Sequence, residues 1–399
     1  MTSFMQRQFV PYAILFRVGG CFFIENFWKP LENARVSWKS LYVAYASSLV
    51  CLNFGIEIRH IAKSSDLFNN LSYALYPFLL FIVRMMISFK LVLNVVTMAT
   101  GSIEFLEFFR KASIFEKTTR FSPVRRGFWF FLTNHWSFIR QLVLVISLTS
   151  NCVAAMVAFA ITVTNLVPDT FRFIGGLIAA FISTCYLIYD VLPYIVLRSC
   201  SAVLVDYLHA QLKQFDSCCE VKVVRAEGHL SRQLEAIRHN LGMIRDLKDS
   251  LNAIWQVPLA TMSVIVLLLV CVGCYGLFHN TFQGLEFLLT VSYCVYSAFA
   301  LVDLACVSQS LTDEAQKFKN ATKMALTFEV TGGHVQQLRY LHETIDPDSM
   351  CLSGGGFFKL NKPLLVSMAG TFITYTVIIA QTGEQLRHKA ASGNSTEPT

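Results

Sequence analysis

The chain has 399 residues, is 54% apolar and only 15% charged, and carries a formal net charge of +7 with a positive mean hydropathy. A soluble domain carries about 25% charged residues, so this composition excludes a soluble globular fold and implies an all-α polytopic membrane protein. The excess of basic residues is not a nucleic-acid signal, because it is concentrated in particular loops.

Residues 1–40 form an N-terminal segment. Its run from Phe9 to Phe27 is moderately apolar but is broken by Arg17-Val18-Gly19-Gly20 and by Glu25. A signal peptide, a weak eighth span and a re-entrant interfacial helix all fit such a run. No small-x-small cleavage site follows it and Arg17 sits mid-run, which argues against the first. Its length and charge argue against a full crossing.

Four apolar runs follow within residues 41–197: about Leu41 to Ile61, Tyr73 to Thr100, Phe138 to Thr164 and Phe173 to Leu197. Residues 258–307 hold a fifth, Pro258 to Phe278, and a sixth, Leu285 to Val307. A seventh occupies residues 363–386 and leaves a tail, 387–399. Each is long enough for roughly 20 residues to cross the hydrocarbon, and helices alone satisfy an open backbone there. The 34 Phe suit lipid-facing helices.

Lysine and arginine in the loops set the orientation. With the N-terminus inside, 25 of them fall on the inner side and four on the outer side. The N-terminus is therefore expected in the cytoplasm and the tail outside, in a multi-pass protein of the plasma membrane. Two sequons, at Asn70 and Asn394, then face outward as glycosylation candidates, while that at Asn320 faces inward and stays unused. A G-protein-coupled receptor would have the opposite orientation. It would also show an acidic-Arg-Tyr triplet after span three and Asn-Pro-x-x-Tyr in span seven, and neither is present. The twelve cysteines are scattered without metal-ligand spacing, and Cys218-Cys219 lie in a basic inner loop where reduced thiols are expected.

The inner segments are patterned. Leu197, Leu204, Leu208 and Phe215 continue an apolar stripe beyond span four. Leu230, Leu234, Ile237, Leu241 and Ile244 then recur at steps of 4, 3, 4 and 3, which is a heptad seam. Residues 198–257 thus read as cytoplasmic helices that extend the spans and pack together. Residues 308–362 read as a further cytoplasmic helix, with Leu311, Ala315, Phe318, Thr322 and Ala325 on one face, and a hinge bounded by Gly332-Gly333 and Gly354-Gly355-Gly356.

Charges inside spans are functional-site candidates, with structural pairing as the default role. Glu57 and Arg84 differ in depth by about 10 Å at about 1.5 Å per residue, the limit of reach for a snorkelling arginine. Lys90 and Asp190 sit equally far into spans two and four and can pair near the inner face, with Asp303 at similar depth. There is no Gly-rich phosphate loop, no metal-binding His pair and no nucleophile elbow, so neither an enzyme nor a cofactor is expected.

Span seven carries small and polar residues at Ser367, Gly370/Thr371, Thr374 and Gln381, with Ile378 filling the one skipped step. Such a stripe packs against other helices or lines a wet path. Within it, Thr374-Tyr375, five residues, then Gln381 resembles the C-terminal Thr-Tyr-(five apolar)-Gln-Phe signature of insect gustatory receptors, with Thr382 where that family has Phe. The resemblance implies a ligand-gated non-selective cation channel, homo- or heterotetrameric, with span seven around a central pore. It implies that the inner helices of residues 198–257 and 308–362 form a cytoplasmic helical anchor. It implies a gate among Thr374, Tyr375, Ile378, Gln381 and Thr382. It also implies a site for a small-molecule tastant in the extracellular half of each helical bundle. Candidate pocket residues there are Tyr73, Tyr76, Arg84, Met156, Phe159, Phe181, Tyr275, Phe287 and Tyr293. The alternatives are an olfactory receptor of the same superfamily and a secondary transporter.

Overall fold

A computed structural model of the chain describes residues 2–70, 75–122, 139, 142–143, 145–147, 149–150, 152–154, 156–157, 169–220, 227–278, 284–328 and 335–393. In chain order these form α1 (Phe4–Val18), a hairpin of β1 (Ile24–Glu25) and β2 (Arg35–Val36), α2 (Leu41–Asn70), α3 (Leu75–Thr100) and α4 (Ser102–Thr119). Then come α5 (Asp169–Glu220), α6 (Glu227–Phe278), α7 (Gly284–Phe328) and α8 (Val335–Thr344). A short 3-10 turn (Pro347–Met350), a hairpin of β3 (Ser353–Gly354) and β4 (Phe358–Lys359), and α9 (Lys362–Gly393) complete the order.

Among the described residues, five helices hold stretches long and apolar enough to cross a membrane: Leu41–Arg59, Phe81–Thr100, Phe173–Cys219, Leu230–Gly273 and Val291–Thr327. In α9 the apolar stretch among the described residues, Lys362–Ile378, is shorter than these. Span three falls mostly outside the described residues, and its described pieces from 142 to 157 are helical. Helices α5 and α6 each have 52 residues and α7 has 45. At about 1.5 Å per residue they reach roughly 65–80 Å, over twice the hydrocarbon thickness. Each therefore runs well past its apolar span as one unbroken helix. Helix α6 passes through Pro258 without ending.

The patterned stretches beyond the apolar spans are where these extensions pack. Leu234, Ile237, Leu241 and Ile244 of α6 are buried, and the row continues through Leu247, Leu251 and Trp255. Leu204, Leu208 and Phe215 of α5 and Leu311, Ala315 and Phe318 of α7 are buried in the same core.

The N-terminal run forms a 15-residue helix, about 22 Å long and too short to span. It packs on α4 and α5. Phe9 meets Phe105 and Phe109 of α4 at ring-centroid distances of 5.5 and 5.3 Å, and Phe27 meets Phe109 at 4.8 Å. Of the twelve largest fully buried side chains described, ten are Phe, and eight of those lie between Phe9 and Phe115. Much of the phenylalanine therefore fills a protein interior rather than facing lipid. The stretch 102–119, which reads from sequence as a basic loop, is the helix that interior is built on.

Helix α1 is held at its start by Glu116 of α4, whose carboxylate accepts from the Phe4 and Met5 amides, the latter at 2.9 Å, and from the buried Tyr207 hydroxyl of α5. Glu116→Ala leaves these three donors without their acceptor, a loss of about 2–3 kcal/mol. A drop of several degrees in the melting temperature of the detergent-purified protein is expected. Glu116→Gln, which keeps one acceptor oxygen, should lose roughly half as much.

The run Gly354-Gly355-Gly356, read from sequence as part of a hinge, is the end of β3 and the start of the turn that leads to β4. Gly355 and Gly356 have φ of +61° and +78°, a region that favours glycine. Gly332-Gly333 lie outside the described residues.

Candidate functional site

Two features gather the polar chemistry of the transmembrane part. The first is a buried network across α2, α3, α5 and α7. Lys90 Nζ on α3 lies 2.7 Å from Asp190 Oδ1 on α5, and the two side chains are 4% and 1% exposed. Tyr293 on α7 donates to the same oxygen at 2.8 Å. One turn beyond Lys90, Asn94 donates to the Tyr189 carbonyl at 2.9 Å. Asp303 on α7 accepts from Tyr194 at 2.8 Å and from Arg198 Nε at 3.0 Å, both on α5. These contacts tie α3, α5 and α7 together at two levels more than two helical turns apart, in an interior where an unmatched charge is expensive. The pairing of Lys90 with Asp190 is as the equal depths imply.

Glu57 behaves differently. It accepts from Ser88 at 2.9 Å, with Tyr186 against it, and among the described residues no ion pair joins it to Arg84. Ser88, one turn beyond Arg84 on the same helix, is the side chain that donates to Glu57. Beside Glu57, between α2, α3 and α5, is a cavity of about 30 Å³ bordered by Asn53, Glu57, Ser88, Tyr186 and Tyr189. It has room for one water and is far below the roughly 300–1,000 Å³ of a small-molecule pocket.

The second feature is α9. Among the described residues it rests chiefly on α6 and α7, with Leu364, Leu365 and Met368 against the core. Ser367, Gly370, Thr374, Ile378 and Gln381 are all exposed in the single chain, so the polar stripe lies on the uncovered side. Exposed apolar side chains flank it, among them Ile373 at 61% and Tyr375 at 52%. The hydroxyls of Thr371 and Thr374 turn back to the Ser367 and Gly370 carbonyls at 2.9 and 3.0 Å, so they are satisfied without a partner helix.

The remaining candidates divide by where they fall. Tyr293 belongs to the buried network. Met156 and Arg84 are half-buried, and Phe181 is exposed on the outside of α5. Tyr73, Phe159 and Asn394 lie outside the described residues, and of Tyr76, Tyr275, Phe287, Thr382 and Asn70 only the backbone is described. Sequence reasoning passed over Ser88, Asn94 and Tyr186. Their only signal was a polar group on the helix face that also carries the charged residue.

A family model described as 7tm Chemosensory receptor matches residues 30–386. The structure of the insect olfactory receptor OR5 from Machilis hrabei superposes with a TM-score of 0.67 at 15% identity, covering 94% of this chain and 98% of that one. The same receptor in complex with eugenol gives 0.66 at 14% identity, covering 95% and 98%. At these identities the likeness is one of fold. No curated protein matches the chain.

Proposed function

The chain belongs to the 7tm chemosensory receptor family, and from that premise we propose that it is a gustatory receptor working as a ligand-gated non-selective cation channel. Seven spans cross the plasma membrane, with the N-terminus cytoplasmic and the 387–399 tail extracellular. Residues 198–257 and 308–362 form the cytoplasmic anchor, and four copies, identical or mixed with related receptors, place α9 around a shared pore. Thr374, Tyr375, Ile378, Gln381 and Thr382 form its outer part. With Thr382 in place of Phe, Ile378 is the apolar ring that closes the path by dewetting. A small tastant enters the extracellular half of the bundle, among Tyr73, Tyr76, Arg84, Met156, Phe159, Phe181, Tyr275, Phe287 and Tyr293, and favours the open state by binding it more tightly.

The observation that carries this reading is that the polar stripe of α9 lies on its uncovered side. A helix bound for lipid on that face has no reason to gather Ser367, Gly370, Thr374 and Gln381 there. Substituting cysteine in turn at 367, 370, 374, 378 and 381 tests it. With the channel open, a water-soluble thiol reagent should modify these positions, and should spare 366 and 373 on the flanks. A uniformly inert helix would remove the pore. Gln381→Ala is expected to change basal current with surface abundance unchanged, as read by whole-cell recording and surface biotinylation. Calcium imaging against sucrose, caffeine, denatonium and eugenol tests the ligand class.

An olfactory receptor of the same superfamily is the second reading. It is favoured by Thr382 replacing the Phe of the gustatory signature and by the fold shared with an olfactory receptor. A volatile agonist with no response to non-volatile tastants would select it.

A further inference from the structure

Helix α9 does not hang from a slack linker. Its base is gripped from two sides by side chains of the helices it rests on. Asn252 of α6 makes a two-point contact with β3: its Oδ1 accepts from the Ser353 amide at 2.9 Å and its Nδ2 donates to Ser353 Oγ at 3.0 Å. Ser308 of α7 is fully buried, and its Oγ accepts from the Leu352 amide at 2.9 Å and lies 3.3 Å from Cys351 Sγ. From there the chain is tied forward. Leu360 N donates to the Leu352 carbonyl at 2.8 Å, Cys351 Sγ donates to the Leu360 carbonyl at 3.3 Å, and both leucines are fully buried. The next residue, Asn361, caps α9 by accepting from Leu364 N at 3.0 Å.

Asn252 lies six residues before Pro258, and Ser308 directly follows Val307. The grip therefore falls where α6 enters its apolar span and α7 leaves its own. Asp303, one turn before Ser308, is bound to Tyr194 and Arg198 of α5. A continuous set of contacts thus runs from α5 through α7 to the first turn of α9.

We propose that Asn252 and Ser308 are positioning residues of the gate: through the β3–β4 hairpin they impose on α9 the arrangement of α6 and α7. This rests on the channel reading above. Backbone amides are a fitting handle for such a task, because they are directional and their loss exposes a buried group without an acceptor. In the ligand-free protein the bundle is at rest and holds α9 closed, so releasing the grip frees the helix to open.

The test uses the full-length chain in oocytes, with sodium as the charge carrier and N-methyl-D-glucamine replacement as the background. Ser308→Ala should raise the ligand-free current per surface receptor by about fivefold, the effect of one net hydrogen bond, and Asn252→Leu, which removes two, should raise it further. Asn252→Asp and Ser308→Thr keep the accepting oxygens and should stay near wild type. Hydrogen exchange at the Leu352 and Ser353 amides should quicken in the first pair only. Equal currents in all four variants, or equal changes in the removing and the conserving variants, would overturn the proposal while leaving the channel intact. Absence of any sodium current in wild type and variants alike, with the cysteines of α9 inert, would overturn the channel reading and this inference together.

Discussion

Lys90→Met is expected to abolish most surface expression, and Asp190→Leu to do the same. Each leaves one buried charge in the middle of the helical bundle with its partner gone. In the first case Tyr293 still donates to Asp190, but no described cation pairs with it. Breaking a buried pair from one side costs about 3–5 kcal/mol, a large part of the roughly 5–15 kcal/mol that holds a folded protein together. Removing both charges at once, Lys90→Met with Asp190→Leu, leaves nothing uncompensated and should recover much of the surface population. Surface biotinylation and melting of the detergent-purified protein check the cycle. Two damaging singles and a milder double variant are expected. Because the pair is buried, the effect should not fade at high salt, unlike that of exposed pairs such as Arg238 with Glu235. Singles as abundant and as stable as wild type would show that the pair does not hold α3 to α5.

The second large effect is expected at Gly354. A Cβ there would stand 2.4, 2.7 and 2.9 Å from three atoms of the Phe358 ring. Phe358 cannot retreat easily, because it pairs directly with Gly354 across the hairpin and packs on the core. Gly354→Ala should therefore cost about 1–3 kcal/mol through overpacking, seen as a lowered melting temperature. Shortening the neighbour in the same chain, Gly354→Ala with Phe358→Ala, makes the room and should cancel much of the clash relative to Phe358→Ala alone. The hairpin also seats the base of α9. The single variant is therefore expected to alter ligand-free current as well, whereas a substitution at exposed Phe357, on the free tip, should not. A Gly354→Ala protein with an unchanged melting temperature would mean that the hairpin yields without strain.

Much of the fold was legible because lipid and close packing both impose periodicity. The seam Leu230, Leu234, Ile237, Leu241, Ile244 could be read in advance because two helices that pack along their length need apolar residues every three to four positions. Lys90 and Asp190 could be paired in advance because each lies as far into its span as the other, and a charge in a bundle needs a counter-charge at its own level. Other features left no such trace. Glu57 looked like a partner for Arg84 because a serine carries no charge to betray it. Helix α4 was hidden because basic residues are read as an orientation signal whether or not the segment that carries them is helical. The 34 phenylalanines taken together looked lipid-facing because residue counts do not tell a buried from a lipid-exposed surface.

The sequence by itself determined the membrane class, the apolar spans, the buried heptad seam and the polar stripe along the last helix. Each of these is a one-dimensional pattern forced by hydrocarbon or by helix geometry. Only the tertiary structure decided that this stripe lies on the uncovered side of α9, that Phe9, Phe27, Phe105 and Phe109 share one interior, and that Asn252 and Ser308 meet across about a hundred and about forty residues of chain at the same hairpin. Such meetings depend on which helices lie side by side, and no spacing along the chain encodes them.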